Sequence, residues 1–363
     1  MRKVVRNIYI MLFVVVLCVP MLIWFIFGDK VNAENREKRE LAKKETTFMQ
    51  PEDYEAYFND NMPFRYALIT LNSSIDYYVF SKAPHSSVLL GEDGWLFYKG
   101  PDGDSMDCYF GNNMFSDEEL QQIADHWEKI DKELQMEGIE FVLFIVPNKG
   151  RIYYEYMPDY IGPPVSPYAT KQLVEYLRDN TNISVVYPYD ELMYAKEHLD
   201  EKLLYYKTDT HWNKIGGYIG AKAMLDELDI NIPDITSEDI SIEECDFDDG
   251  DLMILLNVYN MDDIDYEISG YETNCVELVG WDFDTLIQYT AQNADPRTIY
   301  ICRDSFSSNM AEYIGSQFEE SYLVHRESYT YEDMMEKEPD IFVYQLAERY
   351  VSSKMYFDLY KSE

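Results

Sequence analysis

Apolar residues are distributed along this chain in three ways. The stretch that opens at Ile8 and closes at Phe27 carries no charge and is rich in Val, Ile, Leu, Phe and Met. Its twenty residues are about what a hydrocarbon core of roughly 30 Å requires. Arg2, Lys3 and Arg6 precede it, as in a signal anchor, and no small-x-small cleavage site directly follows Phe27. A retained membrane anchor over 1–28 is therefore expected. Residues 29–50 interleave Lys and Arg with acids and read as a charged stalk. Lys30, Arg36, Lys38, Arg39, Lys43 and Lys44 by themselves favour the cytoplasm for that side. Long downstream domains, however, translocate largely regardless of such charges.

From Pro51 onward the pattern becomes that of a packed domain, expected to run over 51–363. Tyr54, Tyr57, Phe58, Ala67, Leu68, Leu71 and Ile75 recur at helical spacing on either side of Asn61-Met62-Pro63. Residues 88–98 read as two short strands joined at Asp93-Gly94, a favoured hairpin turn because Gly tolerates positive φ. Ser116 with Glu119 three residues on forms a capping box for a helix reaching about Glu137. The continuous apolar run 141–146, ended by Pro147, predicts a strand buried on both faces. A helix over 168–178, a strand over 184–187 and a helix over 212–228 follow. Strands over 298–302, 322–325 and 341–344 complete the pattern, with a helix near 309–318 between the first two. This alternation predicts a three-layer α/β/α domain around a mostly parallel sheet. Between Lys222 and Arg297 there is no Lys or Arg, while 21 residues are Asp or Glu. That break predicts an inserted acidic region of strands and loops at about 229–296.

Composition narrows the partners. The 363 residues are 47% hydrophobic, ample for a core and incompatible with global disorder. The net charge of -38 excludes nucleic acid, which needs a basic face to release counterions. Neutral or cationic ligands fit better. Cys18 lies in the anchor, and Cys108, Cys245, Cys275 and Cys302 are compatible with two disulfides outside the cell. No CxxC pair exists, so a zinc ribbon has no support. GxSxG, GxGxxG, a P-loop and HExxH are also missing. Asp246, Asp248, Asp249 and Asp251 surround Gly250, but the EF-hand register places Cys245 and Phe247 where oxygen ligands are required. No metal or cofactor is expected.

Two segments carry chemistry. Among five histidines, His85, His126, His198 and His325 sit in settings that need no function. His211 lies in Lys207-Thr208-Asp209-Thr210-His211-Trp212-Asn213, a polar loop before a helix. A carboxylate two residues away can accept from Nδ1–H, fix the tautomer and stabilise an imidazolium. Alternatively, Asp209 or Thr210 caps the helix and His211 is only surface. The second segment, Arg303-Asp304-Ser305-Phe306-Ser307-Ser308-Asn309, directly follows a predicted strand, where open α/β sheets bind ligands. Ser305 there needs a base such as His211 to become a nucleophile, and turn N–H groups could hold an oxyanion. The alternative is a helix capped by Ser307 or Ser308 with Ser305 merely solvated.

Taken together, these landmarks resemble the SGNH/GDSL-like superfamily, and within it the membrane-anchored DHHW and alginate O-acetyltransferase-like proteins. The match rests on several segments in order. They are Asn59-Asp60-Asn61-Met62-Pro63-Phe64-Arg65, Gly91 to Tyr98, Val146-Pro147-Asn148-Lys149 with Tyr153 and Pro158, and Thr208 to Asn213. Gly250-Asp251-Leu252, Asp304-Ser305-Phe306 and Ala347-Glu348-Arg349 follow. The resemblance implies Ser305 as nucleophile, His211 as general base and acid, and Asp209 as its orienter. The Gly of the superfamily's Gly-Asp-Ser is Arg303 here, and the first His of the DHHW name is Thr210. Asn148, Lys149 and Arg303 are carried as oxyanion or substrate groups. The implied activity is acetyl transfer to a cell-surface or exported polysaccharide from an extracytoplasmic domain. The implied partner is a multispanning acyltransferase that supplies acetyl groups. A carbohydrate esterase with the same residues and a non-catalytic scaffold of an export machine are the alternatives.

Overall fold

The computed structural model describes residues 2–27, 51–247, 250–270, 275–279 and 285–362. The stalk expected over 29–50 lies outside them, as do Asp248 and Asp249. The chain divides into two units. One holds Met1–Pro84 with Asn257–Tyr259, the other His85–Leu256 with Asn260–Glu363.

In the first unit a helix spans Arg2–Phe27. Its segment Lys3–Ile23, 21 residues long, extends about 32 Å at a rise of 1.5 Å per residue, enough to cross a membrane. Two further helices, Pro51–Asn61 and Arg65–Phe80, bury only Tyr57 and Ser73. The helical periodicity read from this region is therefore real, but it does not open the α/β domain. Leu71, Ile75, Val79 and Phe80 stay exposed, so these helices sort with the first unit and the compact α/β unit begins at His85, not at Pro51.

That unit opens with a hairpin, β1 (Val88–Leu90) and β2 (Leu96–Tyr98). Asp93 and Gly94 take φ of 50° and 82°, the two positive values that a turn of this hand requires. The helix Asp117–Met136 starts at Ser116, whose side chain and Glu119 form the expected capping box. Next come β3 (Glu140–Val146), the helix Ala169–Asn180, β4 (Ser184–Val186) and the helix Lys214–Glu227. The acidic region supplies β5 (Ser241–Asp246), β6 (Ile264–Ser269), β7 (Cys275–Val279) and β8 (Leu286–Ala291). β9 (Asp295–Arg303), β10 (Phe318–His325) and β11 (Ile341–Ala347) complete the strands.

The main sheet has the order β4-β3-β11-β9-β10-β8-β7. Its first five strands run parallel, and β8 and β7 add an antiparallel edge. Within the acidic region, β5 and β6 stand apart from the main sheet as a two-stranded ladder. The acidic region is thus partly an extension of the sheet itself. Strand period two sends Phe141, Leu143 and Ile145 to one face, where Leu120, Ile123 and Trp127 of one helix and Leu173 and Leu177 of another cover them. Val142, Phe144 and Val146 face the other layer, with Ile215, Tyr218 and Met224. Each fully buried side chain of this size contributes roughly 1.5–3 kcal/mol, so both faces of the sheet are anchored. All five cysteines are free, and the two disulfides that the count allowed are not formed.

Candidate active site

β3, β11 and β9 are neighbours and parallel, so their carboxyl ends open on one edge of the sheet, where ligands bind in this architecture. β9 delivers Arg303, Asp304 and Ser305 to that edge. Asp304 ends the extended chain and caps the next turn, its Oδ1 accepting from Phe306 N at 3.0 Å. Two residues of β11 pin the same carboxylate: Gln345 Nε2 donates to Oδ1 and Ala347 N to Oδ2, both at 2.7 Å. The cap is therefore Asp304, not Ser307 or Ser308, and Ser307 Oγ instead donates to Gln345 Oε1 at 2.9 Å. Ser305 begins a 3-10 turn over Ser305–Met310, followed by the short helix Ala311–Gly315. β10 already starts at Phe318, so the helix expected near 309–318 is cut short.

The imidazole arrives on the loop before the helix Lys214–Glu227. Asn213 caps that helix, its Oδ1 accepting from Ile215 N and Gly216 N at 3.0 and 3.2 Å. Asp209 and Thr210 are thereby released from the capping role that the sequence left open. Trp212 Nε1 donates to Phe306 O at 2.8 Å, and Asn309 Nδ2 donates to Trp212 O at 2.7 Å. These two bonds tie the His211 loop to the Ser305 turn. The helix start also packs tightly here, because a Cβ at Gly217 would meet Asn309 O at 2.1 Å and its carbonyl carbon at 2.5 Å. Backbone cannot yield as a side-chain tip does. Gly217→Ala is expected to lose about 1–3 kcal/mol by overpacking and to move the Ser305 turn from His211. Thermal denaturation and the Ser305–His211 distance in a crystal structure of the variant check both effects.

The three residues read from sequence meet. His211 Nε2 lies 2.6 Å from Ser305 Oγ. Its Nδ1 lies 2.6 Å from Asp209 Oδ1, which also accepts from His211 N at 2.8 Å. Asp209 Oδ2 accepts from Asp251 N at 2.8 Å. Such an arrangement can take a proton from the hydroxyl at Nε2 while the carboxylate holds the ring in the Nδ1–H tautomer. The other histidines have partners away from Ser305. His126 pairs with Phe357 O, His198 with Tyr194 O, and His85 accepts from Ser87 N.

The family model described as the SGNH hydrolase-like domain of acetyltransferase AlgX matches residues 88–273. The chain belongs to that family. The match includes Asp209 and His211 and ends before Ser305. A probable alginate O-acetylase AlgJ of Pseudomonas aeruginosa is 24% identical over 184 residues, 48% of this chain and 41% of that protein. Its counterpart in Pseudomonas fluorescens is 27% identical over 231 residues, 62% and 52% of the two chains. The chain thus spans about half the length of the curated relatives it matches. Among solved structures, Bacillus cereus PatB1 with a sulfonyl adduct superposes with a TM-score of 0.53 at 14% identity, covering 76% of this chain and 100% of that one. That likeness is one of fold.

In this SGNH hydrolase-like domain, two of the residues carried as oxyanion or substrate groups have other work. Lys149 is buried and its Nζ donates to the carbonyls of Tyr206, Lys207 and Asp209 at 3.1, 3.0 and 2.6 Å. It clamps the histidine loop from beneath. Burial pulls its ammonium down to about 8, against the opposing charges of Asp251, Asp209 and Asp263. Arg303 is fully buried and donates to Leu323 O, Asp304 O and Thr285 O, so a structural Arg stands where the superfamily has Gly. Asn148 and Lys149 both line a surface recess shared with Thr210 and Arg349, and the Asn148 backbone N donates to Glu348 Oε2 at 2.8 Å. Asp251 and Glu348 lie in segments that carry the resemblance, which assigns neither of them a role.

Asp251 adds a second acid. Its oxygens accept from Thr210 N and Oγ1 at 2.7 and 2.6 Å, and Oδ2 lies 3.8 Å from His211 Nδ1. Burial and the charge of Asp209 both push its carboxyl up. Ligand atoms of Asp209, His211 and Asp251 lie within 4.8 Å of one another, but a cation on Nδ1 would have to displace the bond to Asp209. Burial disfavours the His211 imidazolium, yet the charge and hydrogen bond of Asp209, helped by Asp251, outweigh it and raise the ring above its ordinary 6.5. Burial also disfavours the Asp209 carboxylate, but His211 and two backbone N–H groups bring it down to about 2.

Only the neutral ring can accept a proton at Nε2, so any ester cleavage that depends on Ser305 and His211 should rise with pH along a limb above 6.5. Protonated His211 contributes folding stability below its unfolded pKa, and this is lost as pH rises through the raised value. Asp209 contributes above its ordinary 3.8 and fades as pH falls towards 2. In Asp209→Asn the activity limb should move down and kcat fall about 10³–10⁴-fold. A pH–rate profile of the two proteins checks this, and an unmoved limb would rule out Asp209 as the orienter.

Proposed function

We propose that this protein is a membrane-anchored O-acetyltransferase that moves acetyl groups onto a polysaccharide through an acyl-enzyme on Ser305. The observation that carries the reading is the 2.6 Å contact between His211 Nε2 and Ser305 Oγ, with Asp209 behind the ring. The first half-reaction follows from those atoms. Ser305 Oγ attacks the acetyl carbonyl as its proton passes to Nε2, and the imidazolium is stabilised by Asp209. Collapse of the tetrahedral intermediate returns the proton to the leaving group. A sugar hydroxyl then attacks the acetyl ester, giving its proton to Nε2, and Ser305 recovers it on release.

The Ser305 N–H, at the start of its turn, and the Asn148 side chain are the donors assigned to the oxyanion. The AlgJ relatives named probable alginate O-acetylases support acetyl transfer to an exported polysaccharide. The apolar helix supports a single-pass anchor, and the α/β unit is assigned to the outer side, where an alginate O-acetylase's polysaccharide would be met. A multispanning acyltransferase in the same membrane is the acetyl source that the resemblance implies. The test uses the full chain in detergent with a chromogenic acetate ester. A burst of leaving group and a Ser305-bound acetyl group in the peptide mass map are expected. A steady release with no burst and no adduct would refute the acyl-enzyme.

A further inference from the structure

Beside the histidine loop lies a cleft of about 220 Å³, whose wall includes Thr210 and Asp251. This is below the roughly 300–1,000 Å³ of pockets that enclose a drug-sized ligand, and it suits one sugar ring. Tyr98 and Tyr350 line it together with Asp102 and Arg349. The Arg349 guanidinium lies 5.9 and 5.2 Å from the two tyrosine ring centres. Its Nε is buried without a hydrogen-bond partner among the described residues, and among them no carboxylate lies within ion-pair distance of the group. A planar cation between aromatic rings with open donors is poised to bind a ligand oxygen. Two carboxylates, Asp102 and Asp251, share the wall with this one cation.

We propose that the cleft seats one neutral sugar ring of the acceptor polysaccharide, held by the tyrosine rings and by Arg349, Asp102 and Asp251 on its hydroxyls, and that its charge turns uronates away. The proposal rests on the acetyl-transfer reading for the word acceptor. Tyrosine supplies an apolar face with a polar tip, which matches a pyranose with its C–H face and rim of hydroxyls. Carboxylates accept from sugar hydroxyls, and Arg349 donates to them. A uronate carboxylate entering the same space meets two acids against one base, on a chain of net charge -38. The AlgJ relatives are named for alginate, a polyuronate, so this chain departs from them in substrate charge.

The experiment is calorimetric titration of the full chain carrying Ser305→Ala, in detergent, with cellohexaose, mannohexaose and xylohexaose against hexamannuronate and hexagalacturonate. At least one neutral oligomer should bind, and the uronates about tenfold or more weaker. Arg349→Ala should weaken the neutral ligand about tenfold, equivalent to roughly 1.4 kcal/mol. Arg349→Lys, which keeps the charge and loses the planar donors, should fall between. Asp102→Asn should raise uronate affinity. Uronate binding equal to or tighter than every neutral oligomer, or no binding of any, would overturn the proposal. Acetyl labelling of Ser305 in the wild type is read separately, so uronate preference with labelling refutes the cleft alone. Neutral binding without labelling supports the cleft and refutes acetyl transfer.

Discussion

Ser305→Ala is expected to abolish the burst and the acetyl adduct, lowering acetyl-ester turnover by about 10⁴-fold or more. The size of the effect comes from what the substitution removes. Without Oγ no covalent intermediate forms, and His211 has no proton to accept from its partner 2.6 Å away. A factor of 10⁴ corresponds to about 5.5 kcal/mol of transition-state stabilisation, more than one surface hydrogen bond supplies. Ser307→Ala separates the role from mere presence of a hydroxyl in this turn. Its Oγ serves Gln345, so that variant should lose about 1 kcal/mol of stability and keep its adduct. Turnover and intact-protein mass spectra of the two variants check the pair. Equal burst amplitudes in Ser305→Ala and wild type would remove Ser305 from the chemistry.

Glu348→Ala should produce the largest loss of stability, about 3–5 kcal/mol. Glu348 and Arg151 form an ion pair at 2.7 Å with side-chain exposures of 0% and 3%. The remaining Arg151 contacts are Cys108 O at 2.9 Å and the Tyr168 ring, 3.4 Å from the guanidinium. Removing the carboxylate leaves that buried cation uncompensated, and an unpaired buried charge costs more than the intact pair contributes. It also frees Asn148 N, whose acceptor is the second oxygen of the same carboxylate. The effect therefore reaches the oxyanion donor assigned to Asn148. Thermal unfolding should fall by about 10 °C. Glu348→Gln keeps an acceptor for Asn148 N and should lose less. A shift of less than about 2 °C in the alanine variant would show that the pair is relieved by water.

Much of this arrangement is legible in the amino-acid sequence. Charge-free length marks the apolar helix, because only twenty or so residues without charge satisfy a bilayer. Asp93-Gly94 marks the β1–β2 turn and Ser116 with Glu119 the capping box, because each depends on atoms a few positions apart. The contact of Asp209 with His211 is equally local, since a carboxylate reaches both N–H groups of the residue two positions on. The unbroken apolar run in β3 likewise announces a strand with a helix layer on each side.

Long-range closure decided the rest. Ser305 and His211 are 94 positions apart, and only the parallel packing of β3, β11 and β9 puts one carboxyl edge under both. Lys149 and Arg303 looked available because charged residues at strand ends commonly are. Their buried carbonyl partners come from distant segments that no periodicity reveals. Asp251 stands in a recognisable segment, but its two bonds to Thr210 appear only once the acidic run folds back on the histidine loop. The helices Pro51–Asn61 and Arg65–Phe80 have the right spacing but bury few side chains, so periodicity identified the helices and tertiary burial set the boundary of the α/β unit at His85.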